Sequence, residues 1–200
     1  MFHEKYSMNK FCVFCGNKPS KKNKEHILPK WLLSMTGDPK RQVSLGINWN
    51  SNELEVRKYS FSNYTFPACK SCNDYYGVME SMAKPIVLRL ANGFPIKTNE
   101  ADLLLDWFDK IRTGLWLASL YLNNNWRDIS PSFFIHQRVA ANDRCLLIYK
   151  SSDPISGLSI LGTNTPIFDM MPSAFAMRIE GLFFVSFSKE FLLHKPFCLP

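Results

Sequence analysis

Apolar residues follow two different rhythms along the chain, and the change falls near residue 99. Through "ADLLLDWFDKIRTGLWLASLYLNN", Leu104, Trp107, Phe108, Ile111, Leu115 and Leu122 recur at helical spacing. They predict one long helix, capped at Asn99 with Asp102 three residues on. After "NNNWRDISPS" the texture turns to short strands: "FFIHQRVA", "RCLLIYK", "SGLSILG", "AFAMRIEG" and "LFFVSFS". Upstream, Pro29 opens a short helix through Trp31, Leu32 and Leu33 that ends at Gly37-Asp38-Pro39. "RQVSLGIN" and "ELEVRKYSF" alternate as two strands around a "WNSN" turn, and a further helix runs from about Cys72, bent or ended by Pro85. The expected class is α+β in two regions: 1–95, and a small α+β unit over 96–200 built around the long helix. The Trp and Phe stripe of that second region reads as core.

Composition adds little until the charge is divided. Hydrophobic residues make up 46% and charged residues 20% of 200, as in ordinary globular proteins. The most apolar window, "LWLASLYL", falls far short of the ~20 residues of a membrane span. "MFHEKYSMNKF" carries no apolar signal-peptide core, so a soluble cytoplasmic protein without membrane contact is expected. The net charge of +7 lies entirely in residues 1–100, where 12 Lys and 3 Arg face 8 acids; beyond them 9 basic and 9 acidic residues cancel. A basic face of that kind attracts phosphate backbones, and equally serves solubility.

The same half holds Cys12, Cys15, Cys69 and Cys72, two C-x-x-C pairs separated by 53 residues. Two such knuckles offer four thiolates to one tetrahedral Zn²⁺, the metal itself closing the long loop. Neither pair has the βαβ setting of a redox dithiol. Cys145, in the apolar run "CLLIY", reads as a small buried residue, and Cys198 has no assigned role. Phe14-Cys15-Gly16, and Cys72 entering a helix, suit a knuckle–hairpin–knuckle–helix layout, the treble clef.

Between the knuckles lies "KKNKEHILPKW", which sets Glu25-His26 among lysines. Asn73 follows the last cysteine, and Glu80 is seven residues further, on the same helical face. Glu25, Asn73 and Glu80 offer oxygen ligands suited to Mg²⁺ or Mn²⁺. His26 beside that ion would take a proton near neutral pH. Together they make a device for cutting a phosphodiester, with Lys18, Lys21, Lys22, Lys24 and Lys30 holding the backbone without reading its sequence. His3, His136 and His194 read as ordinary surface or core residues.

The order C-x-x-C, acid-His, C-x-x-C-Asn resembles the HNH (ββα-metal) endonucleases, in particular their zinc-stapled branch. "EHILPKWL" and "CKSCNDYYGVMES" are also similar to bacterial HNH-type proteins with an E-H-I-x-P-x-W-L and C-x-x-C-N…E pattern. The resemblance covers about residues 10–90. It implies Glu25 and Asn73 as ligands of the catalytic cation, His26 as general base, the cysteines on structural zinc, and DNA as substrate. Glu25 stands where the family usually has Asp or His, one methylene shorter, and the Pro29–Leu33 helix interrupts the expected hairpin. Residues 96–200 fall outside the resemblance and are free to hold a protein partner or form a homodimer. A zinc treble clef that grips nucleic acid or protein and cuts nothing is the alternative, and a redox protein is a third reading.

Overall fold

In a computed structural model, the chain is described over residues 11–19, 23–48, 55–122, 131–151 and 156–193. In order come β1 (Lys24–His26), α1 (Lys30–Met35), β2 (Gln42–Asn48), β3 (Glu55–Ser60), a 3₁₀ turn (Phe61–Asn63), β4 (Thr65–Pro67) and α2 (Lys70–Ala91). Then follow α3 (Thr98–Leu122), α4 (Ile135–Arg138), β5 (Arg144–Lys150), β6 (Leu158–Leu161), α5 (Pro166–Met170), β7 (Ala174–Ile179), β8 (Leu182–Ser188) and α6 (Lys189–Leu193). The fold mixes helix and sheet, as expected. β1 pairs antiparallel with β4, β2 with β3, and the second half forms a four-stranded antiparallel sheet in the order β5-β8-β7-β6. The "WNSN" turn expected between β2 and β3 lies outside the described residues.

α3 organises the molecule. Neighbouring residues on a helix point about 100° apart, so Trp107 and Phe108 address different partners. Trp107 stacks on Trp31 of α1 at 5.6 Å, and Phe108 on Phe184 of β8 at 4.9 Å. Gly114 lets α3 approach the segment after β1, since a Cβ there would lie 2.9 Å from Ile27 Cγ2. One hydrophobic cluster consequently runs from Cys12 and Phe14, through Ile27 and Tyr76, to Phe175 and Phe184. The change in chemistry near residue 95 is not a break in packing.

Several local expectations give way to tertiary contacts. The long helix begins at Thr98, so Asn99 lies inside it; Glu100 reaches back to the Lys97 N–H (3.0 Å) and pairs with Arg89 (2.7 Å). Residues 135–138 of the expected strand "FFIHQRVA" form α4, whose first turn is capped by Gln137 accepting from the Phe134 N–H (2.7 Å). Pro85 neither ends nor replaces α2, which continues to Ala91. It has no N–H to give the Ser81 carbonyl, and both residues lie on an exposed face of the helix. Cys145 is half-buried rather than buried, because β5 is an edge strand. Among the described residues no helix is long and apolar enough to cross a membrane.

Candidate metal centre and a buried cation beside it

The first knuckle is a tight turn in which the Gly16 N–H donates to the Cys12 carbonyl (2.8 Å), and Gly16 takes a positive φ of 80°. Val13 N–H to Pro67 O (3.1 Å) ties that turn to the end of β4. The second pair begins α2: Cys69 is its N-cap residue and Cys72 lies in its first turn. Between them the β1–β4 pairing brings residues 24–26 opposite residues 65–67. The result is a cluster of four sulfurs, all within 4.8 Å of one another. Four Zn–S bonds of about 2.3 Å place sulfurs about 3.8 Å apart, and Cys15 Sγ lies 3.9 Å from Cys69 Sγ. The donor set and its size fit a tetrahedral zinc ion, which the four cysteines could hold. The Cys69 N–H already donates to Cys12 Sγ (3.2 Å), the contact a bound thiolate requires.

As free thiols, the two cysteines of the second knuckle resist ionisation. Burial, then the neighbouring sulfurs, push Cys69 up to about 11 and Cys72 up to about 12. Burial acts against Cys15 as well, but hydrogen bonding from the Asn17 backbone and the other cysteines bring it below its ordinary value. A divalent ion at the centre reverses that balance, because it favours every thiolate at once.

Glu25 and His26 are adjacent on β1 and therefore leave opposite faces of the strand. Glu25 turns inward and is 6% exposed. There it meets Lys110 of α3, whose ammonium is wholly buried. Lys110 Nζ lies 2.6 Å from Glu25 Oε1, 2.5 Å from Glu80 Oε1 and 3.3 Å from the Ile27 carbonyl. Three acceptors for three N–H groups leave this ammonium fully satisfied. Burial raises Glu80, the nearby ammonium pulls it back down, and Glu25 adds to the rise. Burial lowers Lys110, but both carboxylates outweigh it and hold the lysine above its ordinary value.

Glu25 and Glu80 thus share one cation, but that cation comes from the second half of the chain. The expected Mg²⁺ or Mn²⁺ does not fit between them while the ammonium is there, since ion–oxygen distances of ~2.1 Å would overlap Nζ. Asn73 is not part of this tripod. Its N–H bonds the Cys69 carbonyl (3.0 Å), so it is not the cap of α2; among the described residues its side-chain amide has no hydrogen-bond partner.

His26 takes the other face of β1 and is half-buried, with Nε2 3.2 Å from the Ser62 carbonyl. A carbonyl only accepts, so Nε2 carries the proton and Nδ1 holds the free lone pair. Burial lowers the imidazole below its ordinary value; the Ser62 bond opposes this, and Lys30 adds to it. Lys18, Lys24 and Lys30 are exposed, while Lys21 and Lys22 lie outside the described residues. So do His3, His194 and Cys198.

Two residues outside the expected site belong here. Lys110 sits within the apolar arc of α3, and its only sequence signal is a charge where the periodicity demands burial. His136 is exposed, as an ordinary surface residue would be, and in addition its Nε2 lies 3.9 Å from Cys72 Sγ and its Nδ1 2.8 Å from Tyr76 Oη. No family model, no curated protein and no solved structure matches the chain.

Proposed function

We propose that the chain is an HNH-type nuclease: a treble clef held by Zn²⁺ on Cys12, Cys15, Cys69 and Cys72 that hydrolyses phosphodiester bonds of nucleic acid, with His26 as general base. The observation that carries this reading is His26 itself. Its protonated nitrogen is spent on Ser62, its other nitrogen has no hydrogen-bond partner among the described residues, and its proton affinity is lowered so that the free base persists at neutral pH. Nδ1 takes a proton from water, the water oxygen attacks phosphorus, and the P–O3′ bond breaks. The 3′ oxygen recovers a proton from solvent, leaving a 5′ phosphate and a 3′ hydroxyl. Exposed Lys24 and Lys30 flank the histidine in sequence and can hold phosphate oxygens. DNA is the substrate the family resemblance suggests.

One observation favours a second reading, a zinc-stapled module that binds nucleic acid without cutting it. Lys110 closes the pair of carboxylates that a catalytic divalent ion would be expected to use. Cleavage of supercoiled plasmid by wild type and His26→Ala, each in Mg²⁺, Mn²⁺ and EDTA, separates the two. Nicking that disappears with His26→Ala supports the nuclease. Salt-sensitive binding without cutting, unchanged in His26→Ala, supports the binding module.

A further inference from the structure

The second half of the chain is built onto the first knuckle through α4. The Ile135 N–H donates to the Val13 carbonyl (3.2 Å), and the His136 N–H to the Phe14 carbonyl (2.9 Å). The Phe134 ring occupies the space beside Gly16, where an added Cβ would come within 2.4 Å of it. Residues 134–136 are therefore set in register against the knuckle by backbone bonds and a close ring contact.

That register places the His136 imidazole between two groups of α2. Nδ1 lies 2.8 Å from Tyr76 Oη and Nε2 lies 3.9 Å from Cys72 Sγ. The Tyr76 ring is itself fixed by stacking on Phe14 of the knuckle (4.3 Å, 7°). Burial, with Tyr75 and Cys72 nearby, holds the Tyr76 hydroxyl in its protonated form, so it can donate to Nδ1. A neutral imidazole that accepts at Nδ1 carries its proton on Nε2, which faces the cysteine sulfur.

We propose that His136 is a positioning residue of the zinc centre: its Nε2–H donates to the metal-bound sulfur of Cys72, and Tyr76 fixes the tautomer that makes this possible. The proposal rests on the zinc reading above. Four thiolates on one Zn²⁺ leave an excess of two negative charges, and N–H donors to sulfur spread that charge and keep the thiolates on the metal. Cys12 has such a donor in the Cys69 backbone; Cys72 receives its donor from the other half of the chain. The metal centre would then fasten the two halves together.

The test uses the full chain as wild type, His136→Ala, His136→Gln and Tyr76→Phe. Bound zinc is measured by metal analysis, and its transfer to a chelating dye is followed at equilibrium. The proteins are also loaded with Co²⁺, and their sulfur-to-cobalt charge-transfer bands recorded. His136→Ala is expected to lose zinc to the dye about 10–100-fold more readily, with the cobalt band moved to lower energy because one sulfur has lost its donor. His136→Gln, which keeps an N–H, should recover part of both changes, and Tyr76→Phe should move both less than His136→Ala. Zinc transfer and cobalt bands like those of wild type in both His136 variants would overturn the proposal while leaving the zinc centre intact. Wild type that holds no zinc would overturn the proposal and the zinc reading together.

Discussion

Replacing Lys110 with methionine keeps most of the side-chain volume and removes the charge. The ammonium is wholly buried, and its two carboxylate partners are nearly so, with side-chain exposures of 8% and 16%. At an effective dielectric of about 20, each pair at this separation is worth roughly 6 kcal/mol of attraction. Much of that is offset by the desolvation of three charged groups. The cost of removing only the lysine is larger than the net worth of the triad, because two buried carboxylates are left facing each other. Breaking a buried ion pair in this way costs about 3–5 kcal/mol. For a chain of this size that lowers Tm by roughly 10 °C. Urea unfolding monitored by circular dichroism measures it directly. The sign of the pH dependence is fixed by the acids. Burial already holds Glu80 above its ordinary value, and losing Lys110, which pulls it down, raises it further, so the penalty grows as pH rises through the folded value and shrinks below the unfolded one. Lys110→Met should therefore be far less stable than wild type at pH 8 and closer to it at pH 5. The triple variant Lys110→Met, Glu25→Leu, Glu80→Met should recover most of the loss at pH 8. A Lys110→Met loss under about 0.5 kcal/mol at pH 8 would refute the reasoning. So would a large loss that does not change between pH 8 and pH 5.

Other outcomes follow from the same geometry. Because His26 lies below its ordinary value of 6.5, the acid limb of any nuclease activity should fall below pH 6.5. The stability that its neutral form contributes is present above 6.5 and lost as pH drops through the lowered value; a pH–rate profile and a pH–melting series check the two separately. With Cys69 and Cys72 raised to about 11 and 12, zinc uptake at pH 7 should release nearly one proton from each of these two, and calorimetry in buffers of different ionisation heat would count them. Gly114→Ala should destabilise by about 1–3 kcal/mol despite alanine's better helix propensity, since the new methyl meets Ile27. Combining it with Ile27→Val should return part of that loss in the same urea titration.

Spacing along the chain carried the cysteines, because C-x-x-C is a local geometry and four sulfurs can be counted without knowing the fold. The helical period of Trp107, Phe108 and Ile111 likewise determined α3, and alternation determined β5 through β8. In the first half α1, β2, β3 and α2 were legible in their order, but β1 and β4, whose pairing stands between the two knuckles, were not. Other features depended on what packs against what. The segment from Phe133 reads as a strand by composition but becomes α4 because its first N–H groups are taken by the knuckle. Nothing near Glu25 in the sequence shows that its partner is 85 residues away, or that the partner is a lysine. A charge can be read from a sequence; the charge it faces in the core depends on how α3 crosses β1 and α2, which long-range packing alone decides.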